Sequence, residues 1–257
     1  MSRLLAVPAG LAVALLAAPL LGLLARAPWA ALGHWWGRAE TVEALRTSLL
    51  TASGATLVCV VLGVPLAAVL TRVRGWARRL LRVAVLLPLI LPPVVGGVAL
   101  LLVFGRGGLL GAPVYRWWGV SLPFTPGAVV LAQVFVGLPF LVLAVEGALR
   151  AADRRVEDAA ATLGAGPWTV FRRVTVPLVA PGVLAGAALS WARAVGEFGA
   201  TITFAGNVPG RSRTVPVAVY LALETDPAGA VALSLLLLGV CAVVLVALRD
   251  RWWGGLA

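Results

Sequence analysis

The chain has 257 residues, of which 61% are hydrophobic and 12% charged, and its formal charge is +11. A soluble domain of this size carries about 25% charged residues, so there is too little polar surface here to cover a water-soluble globule. All 21 basic residues are Arg; without a Lys the chain has no Gly-x-x-x-x-Gly-Lys phosphate loop, which excludes nucleotide binding of that kind.

Six apolar runs free of charged residues follow in chain order: Leu4–Ala25, Thr47–Thr71, Val83–Phe104, Pro126–Val145, Val174–Ala192 and Pro227–Leu248. Each is long enough for a membrane-crossing helix, which needs about 20 residues; a buried core helix has a run of about 10–14. The fold expected is therefore all-α and integral to a membrane, with six transmembrane helices. Ala25-Arg26-Ala27 after the first run resembles a signal-peptidase site, but the run is longer than the usual ~7–15 residues of a signal core, so a retained helix is expected. The third run carries Pro88, Pro92, Pro93, Gly96 and Gly97, and a kinked span is expected there.

The Arg residues alternate between loops. Thirteen precede span 1 or follow spans 2, 4 and 6, seven lie in the intervening loops, and Arg193 sits near a span end. The positive-inside rule puts both termini in the cytoplasm. That pattern reads as orientation and attraction to anionic lipid, not as a nucleic-acid surface. Trp29, Trp35, Trp36, Trp117 and Trp118 fall in the opposite loops, where they suit headgroup anchoring or an outside partner. Cys59 and Cys241 lie within spans and read as reduced thiols; the lone His34 forms no metal site or triad, and no catalytic or metal-binding residue is expected.

Residues 150–173 form a polar connector after span 4. Asp153 can cap a helix whose Val156, Ala159, Ala160 and Leu163 recur at helical spacing on one face. Gly164 and Gly166 can end it through a positive-φ turn, and Pro167 can restart a second helix bearing Trp168 and Phe171. Asp158-Ala159-Ala160, then Gly164, Val174 and Val176-Pro177, fits the spacing of the cytoplasmic loop of ATP-binding-cassette (ABC) importer permeases. The departures are Asp for Glu and Val for Ile and Leu. The resemblance implies that Glu157, Asp158, Ala159, Ala160, Leu163, Gly164, Trp168, Phe171 and Pro177 couple the chain to an ATPase.

A second cluster, Gly196-Glu197-Phe198-Gly199-Ala200-Thr201-Ile202-Thr203-Phe204, precedes Asn207-Val208-Pro209-Gly210, Arg211, Arg213, Thr214, Pro216 and Tyr220. This string resembles the molybdate permease branch of these importers; its Gly-Glu-Phe-Gly-Ala core is shared with sulfate and related oxyanion permeases. Arg193 and Glu197 stand four residues apart at the outer end of span 5. Two readings stand for them: a local ion pair near the interface, or an outer gate or anchor that also includes Phe198, Thr201 and Thr203. Glu146 and Arg150 repeat the spacing at the other end of span 4, where a structural pair is expected.

The resemblance implies a type I importer permease fold whose core, residues 45–248, holds five helices. Residues 1–44 would add a helix and outer loop, and residues 249–257 a cytoplasmic tail. It implies a homodimer in the bacterial inner membrane, two cytoplasmic ABC ATPase subunits and an external molybdate-binding protein. ATP and Mg would sit on the ATPases and no cofactor on this chain. A sulfate, thiosulfate or tungstate permease is the alternative within the family. An ATP-independent carrier or channel is the alternative outside it.

Overall fold

The computed structural model describes residues 3–152 and 154–253, and among these every regular element is helical. In chain order the helices are α1 (Arg3–Ala25), α2 (Leu32–Trp36), α3 (Ala39–Arg72), α4 (Gly75–Ile90), α5 (Pro93–Phe104), α6 (Gly111–Trp118), α7 (Pro126–Ala151), α8 (Arg154–Thr162), α9 (Pro167–Val170), α10 (Val176–Val195), α11 (Gly199–Phe204), α12 (Val215–Thr225) and α13 (Pro227–Trp253).

Two of the long helices, α7 and α13, start at side-chain caps. Thr125 precedes Pro126, and its hydroxyl accepts from Ala128 N at 3.3 Å to open α7. Asp226 precedes Pro227, and its carboxylate accepts from Gly229 N at 3.0 Å to open α13.

Helices α3, α7 and α10 form the centre of the molecule. Cys59, Leu70, Leu141, Val142, Val145 and Val195 are buried together in this core. Positions along α3 meet rising positions along α7: Gly54 faces Val130, Cys59 faces Val134, and Gly63 faces Leu141. The two helices are thus parallel. Helix α10 runs the other way, because Gly182 faces Ala148 while Gln133 Nε2 donates to Ala194 O at 3.0 Å. One end of the bundle is rich in Arg and carries Glu146 and the 154–175 loop; the other carries Thr125, Glu197, Trp35 and Trp36.

Parallel α3 and α7 require the chain to cross back between them. The expected third span does this as a broken helix. Helices α4 and α5 meet at 117° across Leu91 and Pro92. Arg78 and Arg82 of α4 lie by Glu146, Gly96 of α5 faces Phe135, and Leu100 packs with Ala128 and Ala132. The pair therefore travels the full length of α7 and counts as one crossing. With five continuous apolar helices it gives six. The sequence anticipated a kink; paired prolines at 92 and 93 remove consecutive donors, and the helix stops and restarts instead.

Three segments between the expected spans at the outer end, residues 26–46, 105–125 and 193–226, are partly helical. Helix α3 begins at Ala39, eight residues before the apolar run, with Glu40 in its first turn. Helix α11 folds back onto α5, where a Cβ on Gly97 would lie 2.7 Å from Thr203 Cβ and one on Gly199 would lie 2.7 Å from Pro93 Cβ. Only glycine at these two positions lets the backbones meet. At the same end, Trp36 Nε1 donates to Ala232 O at 2.9 Å, and Leu23 of α1 packs with Leu32, Ala232 and Leu235. From residue 6 onward, the remainder of α1 is almost wholly exposed.

Candidate functional site

The loop from α8 to α10 begins beyond Asp153, the expected cap, which lies outside the described residues. Helix α8 ends as its glycine demands. Gly164 has φ +85°, its N–H donates to Ala161 O at 3.0 Å, and Ala165 N donates to Ala160 O at 3.1 Å. This pair of bonds is a Schellman closure with Gly164 in the left-handed position. Gly166 has φ −65° and instead precedes Pro167, the first residue of α9.

The second helix of the loop is not a separate piece. Helix α9, a π turn at Phe171–Thr175 and α10 follow without a break, and Val176 N bonds to Phe171 O, five residues back. Pro177 and Pro181 follow within α10. A π turn placed before a proline absorbs the geometry that the missing N–H and bulky ring would otherwise disturb.

The apolar stripe of the loop is largely exposed among the described residues. Leu163 is 89% exposed and Trp168 70%, Val156, Asp158 and Ala159 are exposed, and Ala160 is half-buried. Trp168 stacks on Phe171 with ring centroids 5.7 Å apart. Glu157 points elsewhere: its Oε1 accepts from Thr175 Oγ1 at 2.5 Å, joining α8 to the π turn. Glu157, Asp158, Phe171 and Thr175 line a cavity of about 260 Å³ that reaches the ends of α3 and α7. The loop is thereby fastened to α10, a tie that spacing in the sequence did not reveal.

At the other end, Arg193 and Glu197 do pair, at 2.5 Å. The pair is not at the surface, however, since Glu197 is 1% exposed. Its second oxygen accepts from Ala200 N at 2.8 Å and so caps α11. The interfacial ion-pair reading underestimated this burial because α11 folds over the carboxylate. Phe198 stacks against Tyr220 at 4.9 Å. Thr203 Oγ1 donates to Gly199 O at 2.8 Å. Thr201 is buried, and its hydroxyl has no hydrogen-bond partner among the described residues. Arg193 also borders a cavity of about 120 Å³ at the α4–α5 break, with Leu91, Pro92, Pro93 and Phe135. The downstream polar residues act as ties: Arg213 donates to Asn207 Oδ1 at 2.6 Å, and Val215 N donates to Ser48 Oγ at 2.8 Å.

The Glu146–Arg150 pair is larger than expected. Arg150 lies 2.5 Å from Glu146, and Arg78 and Arg82 approach it at 3.6 and 3.9 Å. The i, i+4 spacing of Arg78 and Arg82 on α4 was the available signal, but nothing in the sequence says which helix that face meets.

The structure is thus a six-crossing bundle with a helical loop fastened to one of its spans. Residues 59–254 match the family described as binding-protein-dependent transport system inner membrane component. The chain belongs to that family and is a multi-pass membrane subunit. It is 50% identical over 247 residues to the molybdenum transport system permease protein ModB of Mycobacterium tuberculosis (strain ATCC 25618 / H37Rv), covering 95% of this chain and 92% of that protein. It is 39% identical over 210 residues to ModB of Escherichia coli (strain K12), covering 82% and 92%. Its fold superimposes with TM-score 0.73 and 14% identity on a chain of a bacterial alginate ABC transporter in complex with alginate pentasaccharide-bound periplasmic protein, over 95% of this chain and 91% of that one.

Proposed function

We propose that the chain is the permease subunit of an ATP-driven molybdate importer. The observation that carries this reading is the exposed stripe Leu163, Trp168 and Phe171 on a loop tied into α10. Such a stripe suits the groove of a partner protein, and the tie supplies a path from that partner to the membrane. The choice of molybdate rests on similarity to the ModB proteins along nearly the whole chain.

In this reading two copies of the chain surround the pathway. The loop ends face the cytoplasm and bind two ABC ATPases, which hold ATP and Mg. A molybdate-binding protein docks on the opposite face. Closure of the ATPases draws the loops together, α10 turns with them, and the pathway alternates between two states. Arg193 and Glu197 act as the outer strut: the ion pair holds the end of α10 against α11 in the closed state, and the guanidinium favours a passing dianion. The permease makes and breaks no covalent bonds.

The test is co-expression with the candidate ATPase and binding protein. Copurification, molybdate-dependent stimulation of ATP hydrolysis and ATP-dependent uptake of labelled molybdate into proteoliposomes are expected. Uptake without an ATPase would overturn the mechanism. Stimulation by sulfate in preference to molybdate would overturn the substrate.

A further inference from the structure

We infer that Arg78, Arg82 and Arg150 form a binding site for a phosphate group at the Arg-rich end of the bundle, apart from the transport pathway. Three guanidinium groups share the single carboxylate of Glu146, and among the described residues no second carboxylate lies within 4.0 Å of them. Among the described residues, two positive charges are thus left without a carboxylate of their own. Among the described residues Arg78 Nε is buried without a hydrogen-bond acceptor. Water can hydrate the exposed edges of these side chains but cannot neutralise them. A phosphate can do both, because its oxygens match the fork of donors on an arginine.

The depth of the cluster indicates where the phosphate comes from. Trp76, one turn or less from Arg78 on α4, is exposed, as are Leu80, Val83 and Leu87 further along the helix. An exposed Trp followed by exposed aliphatic residues marks the level of the lipid headgroups. Basic clusters at this level attract anionic lipids. The same oxygens could be offered by free inorganic phosphate, and the chemistry of the site is common to both. Bound there, the anion would join α4 to the end of α7, at the base of the broken span.

The experiment uses the full-length chain in detergent and native mass spectrometry. Phosphatidylglycerol and phosphatidylcholine are supplied in equal amounts, and inorganic phosphate is supplied in a separate arm. Wild type should retain phosphatidylglycerol over phosphatidylcholine. R79Q should do the same, because Arg79 is exposed and outside the cluster. R78Q/R82Q should lose about 100-fold in retention, about tenfold for each charge-assisted hydrogen bond lost. Should the double variant not yield folded protein, R82Q alone, expected to lose about tenfold, takes its place. Retention of the lipid assigns the headgroup as the source. Phosphate adducts that disappear in the variant, with no lipid preference, assign a free anion. Equal binding of both probes by the cluster variants and R79Q would overturn the site.

Discussion

Glu197 is a buried carboxylate with two different partners, so its variants separate the parts of its role. Glu197→Gln keeps an oxygen that can accept from Ala200 N but releases Arg193. Arg193→Ala removes the cation paired with Glu197, the only one among the described residues, and leaves its charge buried. We expect Arg193→Ala to be the more destabilising, by about 3 kcal/mol, and Glu197→Gln to cost about 1–2 kcal/mol. Thermal melting in detergent checks the order, and equal, near-wild-type melting of both would show that the pair bears no load. If the pair is the outer strut, Glu197→Gln should also raise basal ATP hydrolysis in the reconstituted complex without binding protein. The residue types and spacing of this pair were legible in the sequence. Its burial was not, because a four-residue spacing describes one helix and says nothing of α11 folding over it.

At the level of elements, the loop contains two separable devices. Gly164 sets the angle between α8 and α9 through its positive φ. Gly164→Leu should cost about 1–2 kcal/mol locally, since an L-residue is strained there, and should abolish copurification with the ATPase while the bundle persists. The bond from Thr175 to Glu157 fixes α8 to the π turn. Thr175→Val should leave ATPase association in place but lower uptake per ATP hydrolysed; unchanged coupling would make this bond incidental to transport. The glycine turn, the proline restart and the aromatic pair were all readable from local rules. The Thr175–Glu157 bond and the π turn were not, because both arise from the way the loop rejoins α10.

For the whole molecule, the parallel course of α3 and α7 requires a crossing between them, and the Arg asymmetry predicts that the Arg-rich end faces the cytoplasm. In cells, a cysteine placed at Arg211 should react with an impermeant thiol reagent from outside, and one at Arg79 should not; both positions are exposed, whereas neighbouring Ser212 is buried. The reverse pattern would invert the topology. Run length alone predicted six crossings, and it succeeded because lipid leaves a crossing segment few alternatives to a helix of about 20 residues. It could not foresee the 117° break, since two prolines in a run are compatible with a bend of any size.

The π turn also acts as a phase setter. A helix advances about 100° per residue, and a π turn holds one residue more than the α-helical path would need. Trp168 and Phe171 therefore point about 100° away from the bearing that an uninterrupted helix would give them relative to the faces of α10. Deleting one residue, Arg173, should let the segment relax into plain α-helix and swing the aromatic pair around the axis by that angle. The bundle would keep its packing while the handle by which it is turned faced the wrong way. ATPase association should then fail in a protein whose membrane-embedded part is unaltered.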